Sequence, residues 1–344
     1  MTRNSWVGNW SSAAPKLQTW SEQPDLTEAF QLRVTRVLSK DAGFVFMPSL
    51  RYLVLAGPTA VGKTELSIQI ALALKTEIVS CDAYQIYSGL ELLTAQPSCS
   101  NLATVRHHLI GSLSLTEACD AYKYAALARS TISDLNRRGM IPLVVAGTGF
   151  YLEGLEGSMP ELPAADFELR QELSRQPTAD LLLELKMRDS VTSVRIDHRN
   201  RRRIIRALEV CMLSGKPFSN SLEREATDPP VAAVTLVRPR SELVERIERR
   251  VDEMFKQGVI EEVAAVETIG STASKAIGFQ LIRDLLAGKI DETVCREEIK
   301  RQTRNYAKRQ MTWFRRKPFA IIEAESSTSR IIEVFRAASV GLAP

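Results

Sequence analysis

A chain of 344 residues with 44% hydrophobic and 25% charged residues is long enough to bury one large core or two modest ones. Glycine, proline, lysine and glutamate interrupt its apolar stretch at 53–74, so the sequence excludes a membrane-spanning helix. The net charge of +4 is only mildly basic and does not by itself indicate nucleic-acid binding. The five cysteines are scattered and lack the close pairs of a metal site or disulfide framework, which indicates reduced thiols in the cytoplasm.

Residues 1–46 differ in character from the rest of the chain. They contain three of the four tryptophans, Trp6, Trp10 and Trp20, and show no strand or helix periodicity before Leu26. We interpret them as an N-terminal appendage. Because Met47 comes just before the first apolar strand, a mis-annotated start is one explanation for this segment.

Strand and helix patterns alternate from Tyr52 onward. Short apolar runs predict strands at 52–56, 77–80 and 143–146, and helical periods predict helices at 64–74 and about 122–137. This alternation is typical of an α/β fold, in which parallel strands are joined by crossover helices.

Helical periods dominate the next part of the chain, apart from a strand-like run at 234–237. A last long helix is predicted at about 291–315, and the run 319–322 after it returns to the sheet. The chain is therefore divided into a core of residues 47–165 and about 289–344, and a mostly helical insertion of about 166–288.

A phosphate-binding motif follows the first strand and precedes the first helix. Its pattern is G-x-x-x-x-G-K-[ST], and this strand-loop-helix context is the one the motif requires. Glycines let backbone N–H groups face phosphate oxygens, the lysine neutralises the outer phosphate, and the threonine hydroxyl is placed to bind Mg²⁺. The predicted diphosphate-binding residues are Gly57, Pro58, Thr59, Ala60, Val61, Gly62, Lys63 and Thr64.

The motif does not say what happens to the phosphates. A kinase or ATPase usually has a carboxylate at the end of a buried strand to hold Mg²⁺, whereas the strand at 143–146 runs into Gly147, Thr148 and Gly149. Asp82, after the strand at 77–80, is the nearest strand-end acid. This arrangement disfavours a nucleoside kinase or ATPase and suggests a group transfer in which the diphosphate itself departs.

Eight ordered segments carry a resemblance to one family. They are the P-loop and residues 80–87, 94–97, 107–110, 147–151, 206–210, 215–217 and 303–315. Together they resemble the tRNA dimethylallyltransferases, also called tRNA isopentenyltransferases, from Leu53 to about Arg316. The resemblance implies a P-loop NTPase-like fold with Mg²⁺ as cofactor. It also implies transfer of the dimethylallyl group from dimethylallyl diphosphate to N6 of adenosine 37, in tRNAs that read codons beginning with U.

The resemblance assigns catalytic roles to three residues. Asp82 would be the general base and the partner of the adenine, Thr148 would lie beside the diphosphate, and Arg250 would reach the diphosphate. From the residues alone, other interpretations stay open. Asp82 suits a helix N-cap or an outer Mg²⁺ ligand, Thr148 a turn, and Arg250 a solvated helix face. Thr64 is the implied metal ligand.

Two basic zones are expected to hold tRNA. Residues 195–206 contain six arginines and one acid, and residues 300–317 contain eight basic residues and no acid, which excludes ion pairs within the second run. Arg199, Arg202, Arg203 and Arg206 are predicted to share one helical face. The residues implied in tRNA binding are Asp82, Ala83, Tyr84, Gln85, Arg202, Arg203, Ile204, Ile205, Arg206, Lys275, Gly278, Arg301, Arg304 and Lys308.

The sequence departs from the family pattern in three places. Ala146 replaces the first of two glycines before Thr148, residues 276–280 lack the usual tyrosine, and the Cys/His pair of eukaryotic relatives is absent, which favours a bacterial-type enzyme. An adenylate isopentenyltransferase would share the P-loop and Asp82 but act on free nucleotides. Non-catalytic RNA binding is a third possibility, in which the diphosphate cradle would have no use. We expect tRNA and dimethylallyl diphosphate as partners, no membrane association and a monomer.

Overall fold

The computed structural model describes residues 50–159, 162–221, 227–325 and 328–340; the appendage predicted at 1–46 lies outside these ranges. The chain from residue 49 forms one compact unit. Within the described ranges the strands are β1 Leu53–Ala56, β2 Ile78–Cys81, β3 His107–His108, β4 Leu143–Ala146, β5 Ala232–Val237 and β6 Ala320–Glu323.

The helices of the same ranges are numbered in chain order. They are α1 Lys63–Leu74, α2 Cys99–Thr104, α3 Ala121–Arg137, α4 Gly149–Glu156, α5 Phe167–Arg175, α6 Thr178–Arg188, α7 Ser190–Arg195, α8 Arg201–Ser214, α9 Arg240–Lys256, α10 Val259–Ala264, α11 Phe279–Leu286, α12 Glu292–Phe314 and α13 Thr328–Val340. None of them is long and apolar enough to cross a membrane.

The six strands form one parallel sheet in the order β3-β2-β4-β1-β5-β6. This confirms the predicted parallel α/β fold. Strand β5 lies inside the span assigned to the helical insertion, yet it pairs with β1 and belongs to the sheet. Ala56, Cys81 and Ala146 are in register at the carboxyl ends of β1, β2 and β4, so the loops that follow these strands meet at one edge.

Helices cover both faces of the sheet, which explains why its strands are almost continuously apolar. Alternate residues of β1 enter two different cores: Val54 packs with Tyr124 of α3, and Leu55 packs with Ile70 of α1 and Phe335 of α13. Ala146, the departure from the family's double glycine, is fully buried in the first of these cores.

Two further cores hold the helical parts together. One joins α5, α6 and α8 through Leu173, Leu181 and Leu208. The other joins α9–α12 and also receives Leu90 and Leu93 from the segment after β2. The second core therefore fixes α9 and α12 beside the edge of the sheet where the strand-end loops meet.

Candidate functional site

The P-loop connects β1 to α1, and its two glycines have conformations that other residues rarely adopt. Gly57 has φ +153° and Gly62 has φ +107°. A Cβ at Gly57 would lie 3.0 Å from the backbone oxygen of Leu236, so a side chain there would press on β5. Gly62 begins α1, whose N-terminus supplies the partial positive charge that favours phosphate.

Lys63 lies across this loop. Its Nζ donates hydrogen bonds to the backbone oxygens of Gly57, at 2.9 Å, and Pro58, at 2.8 Å. Burial lowers the pKa of Lys63 to about 8; the carboxylate of Asp82 opposes this shift and the charge of Arg250 adds to it. A phosphate anion beside Nζ would favour the charged ammonium.

Three arginines from the second half of the chain hold the P-loop from outside. Arg238 Nε donates to Val61 O at 2.8 Å, and Arg246 Nε donates to Ala60 O at 2.7 Å. The third is Arg250, the arginine predicted from the sequence, whose Nη1 donates to Thr59 Oγ1 at 2.9 Å. Burial lowers the pKa of the Arg250 guanidinium, although the nearby Asp82 opposes this shift.

Sequence reasoning did not select the other two arginines. Arg238 directly follows β5, and a charged residue at the carboxyl end of a sheet strand is a recognisable signal. Arg246 lies one helical turn before Arg250 on α9, so it shares that residue's face. The P-loop is thus surrounded by more cations than the motif itself contains.

Asp82 follows β2 and faces the end of β4. Its Oδ1 accepts hydrogen bonds from the backbone N–H groups of Tyr84, at 3.0 Å, and Gln85, at 3.4 Å. A Cβ atom at position 147 would lie only 2.6 Å from Asp82 Oδ2, so a side chain in place of Gly147 would collide with this oxygen. One oxygen therefore stabilises a turn, and the other lies against Gly147. A helix N-cap would require a helix to begin here, and the described chain has none at this position.

Thr148 lies at the N-terminus of α4, next to this turn. Its Oγ1 accepts a hydrogen bond from Ala83 N at 3.0 Å, so the loops after β2 and β4 are joined through it. The ring of Trp313 packs on Gly149, where a Cβ would lie 2.2 Å from it. The predicted catalytic residues Asp82 and Thr148 are thus neighbours, and glycines provide the space around them.

Gln310 of α12 connects the two halves of this region. Its Oε1 accepts from Thr59 N at 2.8 Å, and its Nε2 donates to Gly147 O at 2.7 Å. The sequence shows Gln310 inside a family-like segment, but neither its spacing nor its chemistry indicates a role. Its partners come from loops 163 and 251 residues away.

Several of these groups border one open cavity of about 670 Å³, whereas Thr148 and Arg238 are not among the residues that line it. It is lined by the P-loop, by Asp82, Tyr84 and Gln85, by Arg246 and Arg250, and by Tyr306 and Gln310 of α12. Burial and the charge of Asp82 raise the pKa values of the Tyr84 and Tyr306 phenols, which keeps both hydroxyls protonated near neutrality.

The first basic zone is placed differently from the prediction. Arg199 precedes α8 and therefore does not share its helical face, whereas Arg202 and Arg203 are exposed on α8. The side chain of Ile204 is fully buried in the core of α5–α8, away from any surface.

Two further basic residues belong to this region. Arg206 donates to the buried carboxylate of Glu209 and to Pro163 O at 2.8 Å. Lys275 lies near this zone. Burial lowers its pKa, and the positive charge of Arg202 adds to the shift.

The second basic zone has acidic partners from outside the run. Arg301 binds Glu298 through Nε and Nη2, both at 2.6 Å, and Arg304 Nη1 lies 2.9 Å from Glu248 of α9. The run 300–317 itself contains no acid, as the sequence shows. Its arginines instead form salt bridges with acids outside the run, one a helical turn earlier on α12 and one on α9. Lys308 is exposed, and Gly278 begins α11 with φ +95°.

The described residues contain no group of three His, Cys, Asp or Glu side chains that could cage a metal ion. The Thr64 hydroxyl and the Glu65 carboxylate border the cavity at the N-terminus of α1. Mg²⁺ typically keeps several waters and binds through few protein oxygens together with substrate phosphates, so this sparse set fits that ion when a diphosphate is bound.

The geometry can be compared with known proteins. Residues 85–317, more than half of the chain, match the family model of the IPP transferases. The chain belongs to the IPP transferase family. It is 38% identical over 278 residues to a tRNA dimethylallyltransferase of Bifidobacterium longum subsp. infantis, covering 78% of this chain and 84% of that protein. It is 36% identical to the tRNA dimethylallyltransferase of Geobacillus thermodenitrificans, covering 83% and 95%.

Solved structures agree with this assignment. The tRNA isopentenylpyrophosphate transferase of Bacillus halodurans is 30% identical, with a TM-score of 0.60 over 85% of this chain and 96% of that one. A eukaryotic dimethylallyltransferase acting on tRNA has a TM-score of 0.73 over 86% of this chain and 81% of that one. Its 23% identity makes this second likeness one of fold alone. The predicted P-loop NTPase-like fold of the IPP transferase is thereby confirmed.

Proposed function

We propose that this IPP transferase moves the dimethylallyl group of dimethylallyl diphosphate to N6 of adenosine 37 in tRNAs that read codons beginning with U. One observation carries the proposal: the P-loop and the Asp82 carboxylate border the same cavity. A leaving diphosphate and an amine nucleophile require a cationic cradle and a proton acceptor on opposite sides of one carbon. The cavity offers both.

The P-loop side would stabilise the departing group. As the allylic C1–O bond breaks, positive charge develops on carbon and negative charge on the diphosphate. Lys63, the N-terminus of α1 and Arg250 place positive charge around the position of the diphosphate. Because these groups are already held in place before the reaction, their reorientation adds little to the barrier.

The Asp82 side would activate the acceptor. The exocyclic amine of adenine attacks C1, an N6–C1 bond forms, and the Asp82 carboxylate takes the proton that N6 loses. The base must leave its stack in the anticodon loop to reach the cavity. Tyr84 and Tyr306 border the same cavity and offer rings against which a purine can stack.

Mg²⁺ is the cofactor that fits the diphosphate side. The Thr64 hydroxyl would hold it together with diphosphate oxygens and water, with Glu65 beside them. The ion would supply positive charge to the leaving diphosphate.

The exposed basic residues favour tRNA over free nucleotides as the acceptor. Arg202 and Arg203 on α8 and Lys308 on α12 suit a phosphate backbone, which a free nucleotide would leave largely unbound. All five cysteines are free thiols, which supports an enzyme that works in the reducing cytoplasm. We expect it to act as a monomer.

The test supplies labelled dimethylallyl diphosphate and Mg²⁺ with either tRNA, AMP or ATP. We expect label on tRNA at A37 and none on the free nucleotides. Label on AMP or ATP would support an adenylate isopentenyltransferase instead. Release of phosphate from ATP without label transfer would support a kinase or ATPase.

A further inference from the structure

Gln310 is a nearly fully buried primary amide, with 6% of its surface exposed. Thr59 N donates to its oxygen, and its NH₂ group donates to Gly147 O. Because one partner is a donor and the other an acceptor, the oxygen must face the P-loop and the NH₂ group must face the end of β4. Displacing the side chain breaks a bond to the P-loop, a bond to the end of β4, or both. Unpaired buried polar groups are costly, so the amide resists displacement.

Each of the two loops contacts or carries a group that we place beside the substrates. On one side, the hydroxyl of Thr59 is bound by Arg250. On the other, Asp82 Oδ2 lies against Gly147, so closely that a Cβ there would approach it to 2.6 Å. A shift of Gly147 therefore moves the surface against which the Asp82 carboxylate rests. Gln310 spans the gap between the diphosphate cradle and this carboxylate.

We propose that Gln310 is a positioning residue that sets the separation between the departing diphosphate and the carboxylate that accepts the adenine proton. The inference rests on the proposed function. The two hydrogen bonds of the Gln310 amide go to backbone atoms, so the side chain would act through Thr59 and Gly147. Misplacement by about 1 Å in such a constellation costs about 10²-fold in rate. The loss therefore falls on kcat more than on the KM of either substrate.

Two variants separate the bonds that Gln310 makes. Gln310→Met keeps the length of the side chain and removes both hydrogen bonds. Gln310→Glu keeps an oxygen that can accept from Thr59 N. When its carboxyl group is ionised, however, the second oxygen cannot donate to Gly147 O and repels it. The matched control is Gln302→Met on the same helix, where the amide donates to Glu298 at 3.0 Å. We expect kcat to fall about 10²-fold in both Gln310 variants and by less than about 3-fold in the control.

The pH profile of Gln310→Glu gives a readout that a structural role would not move. A protonated carboxyl can donate to Gly147 O again, and burial raises the pKa of such a group. The ratio of its kcat to that of wild type should rise as the pH falls from about 8 to 6. A constant ratio contradicts the proposal. This arm stands even if Gln310→Met fails to fold.

Combination with Asp82→Asn decides between positioning and general damage. If Gln310 acts by placing the Asp82 carboxylate, its effect on kcat should shrink below about 10-fold once that carboxylate is absent. A full additional 10²-fold loss in the double variant, or a Gln310→Met rate close to the control, overturns the inference. Wild-type enzyme is assayed first: its failure to prenylate tRNA would overturn the proposed function itself.

Discussion

Arg250 on α9 donates a hydrogen bond to the Thr59 hydroxyl, 191 residues earlier in the chain, at an Nη1–Oγ1 distance of 2.9 Å. The bond places a guanidinium beside a loop whose own motif contains a single cation, Lys63. The phosphate-binding loop of this enzyme is therefore completed by a helix that follows the fifth strand.

Removing Arg250 should weaken use of the diphosphate. Bonds to charged groups contribute about 1.5–3 kcal/mol, so Arg250→Ala should lower kcat/KM for dimethylallyl diphosphate about 10- to 100-fold. Steady-state kinetics at saturating tRNA measure this. Lys256→Ala on the same helix, where the lysine is exposed and lies near Glu253, is the control and should change little. Equal losses in the two variants would assign the effect to α9 as a whole.

Asp82→Asn should remove proton acceptance while keeping the turn. An asparagine oxygen can still accept from Tyr84 N and Gln85 N, so thermal stability and tRNA affinity should stay near wild type. General-base contributions predict a fall in kcat of about 10² to 10⁴-fold. Loss of stability with an intact rate per folded molecule would make Asp82 a cap. Recovery with excess Mg²⁺ would make it a metal-shell residue.

Diphosphate binding should take up a proton at alkaline pH. Burial lowers the pKa of Lys63 from 10.5 to about 8, so much of the free enzyme is neutral there at pH 8.5, and a bound anion favours the charged form. Calorimetry of inorganic diphosphate binding in two buffers of different ionisation enthalpy measures the uptake. Because inorganic diphosphate itself ionises in this pH range, the difference between wild type and Lys63→Met isolates Lys63: we expect extra proton uptake by wild type at pH 8.5 and almost no difference at pH 6.5.

The same pKa shift bears on folding of the free enzyme. Between about pH 8 and 10.5 the unfolded chain holds a proton that the folded chain has released from Lys63. Stability from this residue is therefore lowest below pH 8 and rises through that window. Lys63→Met should remove this rise, which the pH dependence of chemical denaturation of both proteins would reveal.

Freeing Arg301 should strengthen tRNA binding. Glu298 holds its guanidinium, and the pKa of that carboxyl is lowered to about 2 by Arg301. An exposed pair of this kind contributes only about 0.2–1 kcal/mol, so stability should hardly change in Glu298→Gln. We expect roughly 2- to 5-fold tighter tRNA binding at low salt. Asp134→Asn, which breaks the exposed Asp134–Arg137 pair on α3, is the control.

The salt dependence of binding tests the basic face as a whole. Each phosphate contact adds about 0.7 to the slope of log affinity against log salt for a single strand. Replacing Arg301, Arg304 and Lys308 together with alanine should therefore flatten the slope by about 2 between roughly 50 and 200 mM salt. An unchanged slope would mean that these residues do not contact tRNA.

The P-loop, the parallel strands and the strand-end position of Asp82 were predictable because a short stretch of sequence determines each of them. The roles of Arg238, Arg246 and Gln310 were not, since each contacts a loop more than 150 residues away. Counting charges along the chain likewise missed Glu248 as a partner of Arg304, because that pair joins two helices. Ile204 sits between arginines in the sequence, but helical geometry turns its side chain inward.

The central place of β1 in the sheet has a consequence for biosynthesis. Leu53 pairs with Leu143 of β4 on one side and with Ala232 of β5 on the other, so in a nascent chain the β5-facing edge of this strand stays unpaired until β5 leaves the ribosome. At about 5–20 residues per second the delay is roughly 10 to 40 s. During that time Leu53 and Leu55 lack the neighbours in β5 and α13 that complete their core, and such exposed apolar surface is prone to aggregate or to recruit chaperones. Substitutions in β5 that slow its docking should therefore lower the yield of soluble enzyme more than they lower the stability of the finished protein.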